Sequence, residues 1–329
     1  MFNHKAVQDL AFIIESDCIY QDFDLSLYWL QDTTAILHVL DKNPMPLLTV
    51  IAQSKSHFLG HYFEVLFSYA IRHLSNLDII LEHKQLFADG KTLGEIDMLV
   101  KDKLGEVHHF ELAIKFYLQV NAVSMEKDAA TQWIGPNKND SFAKKYQRAK
   151  QHQLTMLDTP VAQSMLAEYD TTCLMSEETN RHEINVRDVK RHLLMFGYLY
   201  LQLKQPLTDV NDSSSAKKLS VNLAVNPAVN PNSIQGYWLY LDDIDLLKAH
   251  FVSAQELRKL NWLSAFKEEN DEQEMTSTSE AFFSQFDDFY LNLKQVFILD
   301  ERPRHFMLKW QHDEVEPQNK RIFIVPNAW

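Results

Sequence analysis

The chain has 329 residues, 46% of them hydrophobic and 23% charged. That length suits about two domains, and the balance excludes wholesale disorder and, with only 7 glycines, a collagen-like or glycine-loop-dense architecture. The net charge of −13 repels polyanions at long range, so any contact with nucleic acid needs a local basic patch.

Apolar spacing at Val7, Leu10, Ala11 and Ile14 predicts an opening helix. The run around it is too short for a signal-peptide core. No stretch reaches the roughly 18 apolar residues of a membrane span. Cys18 and Cys173 make no disulfide framework. Together these lead to the expectation of a cytoplasmic chain with no membrane contact. Trp29 to Leu40 reads as a second helical or buried element, broken by Asn43-Pro44-Met45-Pro46.

A strong helix is expected over 56–74, with Ser56 as N-cap and an apolar surface from Phe58 to Leu74. His57, His61, Glu64 and Ser68 share one stripe of it. Three strands follow, at 77–87, 93–101 and 107–118, with a hairpin signal at Asp89-Gly90 and a turn at Lys103–Glu106. The third alternates: Phe110, Leu112, Ile114, Phe116 and Leu118 on one face, and His109, Glu111, Ala113, Lys115 and Tyr117 on the other. Trp133–Asn137 reads as a turn, and Asp140 or Ser141 caps a basic helix to about residue 158. A short strand is expected at Thr171–Met175, and a helix over 186–204.

Composition then changes. Asp212–Ser215 and the tandem Ala224–Pro227 and Ala228–Pro231 read as a linker. Beyond it a strand is expected at Gly236–Leu241, a largely helical stretch over 242–266, an acidic mobile stretch at Glu268–Glu280, and a closing hairpin of Arg304–Gln311 with Arg321–Val325. The expected divisions are an N-terminal helical segment (1–55), a core (56–205), a linker (206–235) and a C-terminal α/β extension (236–329).

The informative block is Gly94-Glu95-Ile96-Asp97 followed by Phe110-Glu111-Leu112-Ala113-Ile114-Lys115. Two carboxylates on adjacent strands repel, and a hard dication resolves that repulsion using one or two carboxylates plus water and phosphate oxygens. Glu64 on the preceding helix adds a third acid. His108-His109 cannot chelate one ion as a pair, because neighbours on a strand point to opposite faces. His57 and His61 lack the glutamate and second site of a zincin.

The order of helix with Glu64, strand, Gly-Glu-Ile-Asp strand and Phe-Glu-Leu-Ala-Ile-Lys strand resembles the PD-(D/E)XK nuclease-like superfamily. Across nearly its whole length the chain resembles the bacterial domain of unknown function 1853 family. The matching stretches are Leu59–Glu64, Leu93–Asp97, His108–Leu118, Trp133–Asn137 and Ile324–Trp329. The superfamily resemblance implies an α/β fold with a restriction-endonuclease-like mixed sheet flanked by helices. It implies Asp97, Glu111 and Glu64 as ligands of Mg²⁺ (or Mn²⁺), and Lys115 as the catalytic lysine. It also implies hydrolysis of nucleic-acid phosphodiester bonds, with DNA ahead of RNA.

Ala113 stands where the superfamily pattern has its lysine. Lys115 lies four residues after the acid, about 13 Å along an extended strand, and a one-residue bulge would flip it to the other face. Lys144 or Lys145 is the other source of a cation. Lys144, Lys145, Arg148 and Lys150 form the candidate nucleic-acid contact. The alternative is a catalytically degenerate protein of this fold that binds nucleic acid or a protein partner. The oligomeric state is not legible.

Overall fold

The computed structural model describes residues 2–54, 56, 58–120, 132–172, 185–206, 229–264, 281–312 and 316–329. In chain order the first elements are α1 (Lys5–Glu15), β1 (Tyr20–Gln21), α2 (Thr33–Lys42), α3 (Met45–Gln53) and α4 (Leu59–Leu74). They are followed by β2 (Asp78–Ala88), β3 (Lys91–Lys101), β4 (Val107–Val120) and β5 (Gln132–Ile134). Then come α5 (Phe142–Arg148), α6 (Pro160–Thr172), β6 (Lys190–Gln202) and β7 (Ile234–Tyr240). The last are β8 (Phe251–Glu256), β9 (Phe282–Phe283), α7 (Phe286–Leu299), β10 (Arg304–Trp310) and β11 (Gln318–Val325). The class is mixed α/β, a mixed sheet flanked by helices. No helix among the described residues is long and apolar enough to cross a membrane.

Two compact units form. The first comprises Met1–Ile114 with Ala143–Phe196, and the second Lys115–Phe142 with Gly197–Trp329. Strands β4 and β6 each give their first half to the first unit and their second half to the second.

In the first unit β2, β3 and β4 form an antiparallel meander, with Glu82 opposite Met98 and Leu99 opposite His109. Asp89 and Gly90 turn β2 into β3 with φ of 50° and 73°. A two-residue hairpin loop with both central residues at positive φ matches the twist of its strands. Helix α4 buries Phe63, Leu66, Phe67, Ala70, Ile71 and Leu74. Phe63 and Phe67 pack on Phe196 of β6, with ring centroids 5.1 and 5.8 Å apart. A second cluster joins Leu81, Leu86, Ile96 and Leu99 of the meander to Met156, Leu157, Ala162 and Leu166. The meander is thus held by apolar burial at both its strand and helix partners.

In the second unit β7 pairs parallel with β11, and β10 pairs antiparallel with both β11 and β8. Its core gathers Leu239, Ile244, Phe289, Leu293, Phe306, Leu308 and Ile322. The expected closing hairpin is present as β10 and β11.

Several expectations are corrected. Helix α4 starts at Leu59 with Phe58 at the N-cap, because the Ser56 hydroxyl accepts from the Phe58 N–H in a local turn instead; His57 lies outside the described residues. The Trp133–Asn137 turn begins with the short strand β5. The basic helix ends at Arg148 and passes into a π-helical turn over Ala149–Gln153, with a 3₁₀ turn at Met156–Asp158. Thr171 and Thr172 close α6 and do not start a strand. The expected helix over 186–204 is strand β6, buried at every residue from Leu193 to Leu201. An unbroken apolar run carries no period, so helix and buried strand look alike in it. The expected helix over 242–266 is a 3₁₀ stretch, Leu241–His250, followed by β8. Cys173, residues 207–228 of the expected linker and the Glu268–Glu280 stretch lie outside the described residues.

Candidate active site

The third strand of the meander alternates as its sequence does, yet residues of both faces of β4 are buried. Glu111 is 1% exposed, and His109 and Phe110 are fully buried. A carboxylate placed there must be paired or protonated. One oxygen of Glu111 accepts from Lys145 Nζ at 2.8 Å, and the same ammonium donates to Gln153 Oε1 at 3.0 Å. Lys145 lies on α5, and the π-helical turn that follows carries Gln153. The second oxygen, Oε2, is buried and meets no donor.

Asp97 projects from β3, and its Oδ2 accepts the backbone N–H of Leu112 at 2.8 Å. This bond links β3 to β4 one residue beyond Glu111. Burial raises the Asp97 carboxyl, against the lowering effect of the Leu112 N–H and the Lys145 charge. Burial and the neighbouring Asp97 charge push Glu111 well up as well, with Lys145 opposing. The two acids therefore form a proton-holding pair.

Asp97 and Glu64 line a cleft of about 580 Å³, together with His61, His83, Glu95 and Arg148. Glu64 lies on α4, and its Oε2 is 3.4 Å from His61 Nδ1 and 3.9 Å from His83 Nδ1. Burial pushes Glu64 up to about 7, helped by repulsion from Asp97 and Glu95 and resisted by His83 and Lys145. Glu95 stands 3.5 Å from His83.

His83 was not singled out by sequence. It occupies the position between Glu82, opposite Met98, and Lys84, opposite Ile96, and so lies across from Asp97. Its φ of 49° is unusual for a residue other than glycine. Residues held in that region cluster at functional sites. The only sequence hint is the polar run Glu82-His83-Lys84 inside a strand; Gln153 and the cleft residue His152 gave no hint at all.

The other expected site residues are placed as follows. Lys115 belongs to the second unit and donates to Asp140 Oδ2 at 2.7 Å, so it is tied to an acid other than Glu111. Lys150 pairs with Asp22. Arg148 lines the cleft, and Lys144 is solvent-exposed. The stripe of four cations is thereby split: one faces Glu111, one is paired elsewhere, and one reaches the cleft.

Glu64 offers a test of the cleft's electrostatics. Its folded pKa exceeds the ordinary value, so the folded chain holds more protons than the unfolded chain between about pH 4.5 and pH 7. Stability contributed by the neutral acid is lost as pH rises through that window. Glu64→Gln removes the loss. Its melting temperature should match wild type at pH 5 and exceed it at pH 8 by the equivalent of about 1–2 kcal/mol, after allowance for solvent screening. An equal difference at both pH values would contradict the assignment.

Among the described residues, the one group of three metal-ligating side chains whose donor atoms lie within 4.8 Å of one another is Asp102, Glu106 and His108, away from the cleft. Glu64, Asp97 and Glu111 are not drawn that tightly. No curated protein and no solved structure matches the chain. A family model does match, over residues 8–325, and on that match the chain belongs to the family described as Domain of unknown function (DUF1853).

Proposed function

We propose that the protein is a divalent-metal-dependent phosphodiesterase acting on nucleic acid, built on a PD-(D/E)XK-type core. The observation that carries this reading is a cleft lined by Asp97 and Glu64, with the buried Glu111–Lys145 pair next to Asp97 on the neighbouring strand. The element order α4-β2-β3-β4-β5-α5-α6-β6, with β2, β3, β4 and β6 as successive neighbours in hydrogen bonding, supports it.

The residues fit a hard dication. Glu111 Oε2 is buried without a donor, and its carboxyl is pushed up by burial and by the neighbouring Asp97 charge. Mg²⁺ or Mn²⁺ needs only one or two protein carboxylates, the rest of its shell being water and phosphate. Asp97 and Glu111 would hold the ion, with Glu64 reaching from α4. Bound there, the ion supplies Lewis acidity at a phosphoryl oxygen and lowers the pKa of a coordinated water.

The remaining chemistry belongs to the chain. Lys145, fixed by Glu111 and Gln153, presents a positive charge where phosphoryl oxygens gain negative charge. It takes the place of the lysine that Ala113 lacks. Glu64, where it does not itself hold the ion, is placed at the cleft to accept a proton from water. Arg148 offers a phosphate contact at the cleft.

The test is cleavage of single-stranded DNA, duplex DNA and RNA with Mg²⁺ or Mn²⁺. Wild type should cut at least one of them, and Asp97→Asn should be slower by on the order of 10³-fold, the rate equivalent of several kcal/mol of lost charge stabilisation. No cleavage of any of the three by wild type, or equal rates for the variant, removes the reading.

A second reading is favoured by the same ion pair. Lys145 already neutralises Glu111, and three carboxylates do not close on one point. A degenerate member would keep the cleft for binding nucleic acid or a partner without hydrolysis. It predicts salt-dependent polynucleotide binding that Asp97→Asn leaves unchanged.

A further inference from the structure

The turn between β3 and β4 holds a second constellation, and nothing in the proposed phosphodiester chemistry uses it. Asp102 directly follows β3 and is 5% exposed. Its Oδ1 accepts from the backbone N–H groups of Leu104 and Glu106, at 2.9 and 2.8 Å. Its Oδ2 is left facing His108 Nε2 at 3.7 Å, too far for a hydrogen bond. His108 is 2% exposed, and that Nε2 has no partner. Glu106 supplies a third donor within the 4.8 Å group and is exposed, leaving a path from solvent.

Hydrogen bonding assigns the imidazole tautomers. His192 Nδ1 lies 3.2 Å from the Asp22 carbonyl oxygen, which only accepts, so Nδ1 carries the proton. In a neutral His192 ring, Nε2 is then an acceptor. It faces His108 Nδ1 at 3.2 Å, so His108 Nδ1 donates. That leaves His108 Nε2 as a bare lone pair, buried and aimed at a carboxylate oxygen. Two lone pairs facing each other in a desolvated space call for a cation between them.

We propose that Asp102, Glu106 and His108 bind a single transition-metal dication of the zinc class. One imidazole and two carboxylates suit Zn²⁺, with water as the fourth ligand. Metal–donor distances of about 2.0–2.2 Å put neighbouring ligand atoms roughly 3.3 Å apart in a tetrahedron. The Asp102–His108 separation of 3.7 Å is already close to that, so the exposed Glu106 makes the main adjustment. Lys190 Nζ, now 2.5 Å from Glu106 Oε2, would yield or move to the other oxygen. The His108–His192–Asp22 chain is the outer support that orients a metal-ligating imidazole. The ion would clip the hairpin turn to β4 and, through His192, brace it against β6.

The experiment is zinc titration of the full chain against a chromophoric chelator, in the Asp97→Asn background so that uptake at the cleft is removed. One equivalent per chain should bind. Glu106→Gln, at an exposed position that leaves the fold intact, and His192→Gln should each weaken binding by about 10–100-fold. Zinc at about 100-fold over its Kd should raise the melting temperature by on the order of 5 °C, and Glu106→Gln should cut that shift to about half or less at the same zinc concentration. Absence of zinc uptake overturns the proposal, and so does uptake that both variants leave unchanged.

Discussion

Lys145→Met should unfold about 1 kcal/mol more easily than wild type at pH 8.5, a charge effect held down because Glu111 can stay protonated instead of standing alone as half of a buried pair. The side chains of the pair are 13% and 1% exposed, so water cannot replace the lost ammonium at Glu111. Glu111 has one escape, which is to keep its proton. Burial and Asp97 already push its carboxyl up, and loss of Lys145 pushes it further. An acid with a raised folded pKa loses stability as pH climbs from its unfolded value towards the folded one. Wild type carries the same loss while its own Glu111 stays protonated, so the variant should match wild type near pH 5 and fall behind only as pH rises through the wild-type folded value of about 8. Urea midpoints at pH 5 and pH 8.5 measure this, and a loss independent of pH would show that packing of the lysine stem, not charge, is what matters.

Adding Glu111→Gln to Lys145→Met separates fold from chemistry. The amide needs no counter-charge, so the double variant should recover most of the stability lost at pH 8.5. It should not recover cleavage, since both a proposed metal ligand and the proposed cation are gone. Recovery of both would place the reaction elsewhere in the cleft.

What was legible in the sequence follows from how local each signal is. The Asp89-Gly90 hairpin was readable because the turn chemistry lies in two adjacent residues, and both take the positive φ that the dipeptide announces. The meander and the closing β10–β11 hairpin were readable from period and turns. Glu64, Asp97 and Glu111 were nameable because their order along a helix and two strands is a one-dimensional pattern. Their partners were not. Lys115 and Glu111 share a strand face, but the strand's rise separates them, and Asp140 takes the lysine. Lys145 stood only as one of two alternatives, because Lys144 and Lys145 are adjacent in sequence and nothing local tells which faces Glu111, while its second partner Gln153 sits on a π-helical turn that no periodicity encodes. His83 depends on a backbone angle. The Asp102–Glu106–His108 group escaped because His108 was weighed with its neighbour His109, on the opposite face, and not with the acids across the turn.

Strand β6 shows the same limit and leads to the largest stability effect expected. Gly197 has φ of 114°, and a Cβ built there would lie 1.8 Å from the Lys115 carbonyl oxygen and 2.8 Å from its carbonyl carbon. Both objections are to backbone, so no side chain can swing aside. A φ in that region is open to glycine and strained for any residue with a Cβ. Gly197→Ala thus meets a backbone clash and a dihedral penalty at once, within a strand buried on both sides of the substitution, at Phe196 and Tyr198. Penalties of this kind belong to the exceptional class above about 4 kcal/mol. Gly197→Ala should express as aggregate or unfold at a much lower urea concentration than wild type, with Gly60→Ala, where a Cβ meets nothing within 4 Å, as the tolerated control. The read-out is the urea midpoint by circular dichroism. If the two alanine variants unfolded together, β6 would have to approach β4 less closely than it does here, and the reading of residues 190–202 as a strand braced against Lys115 would fail with it.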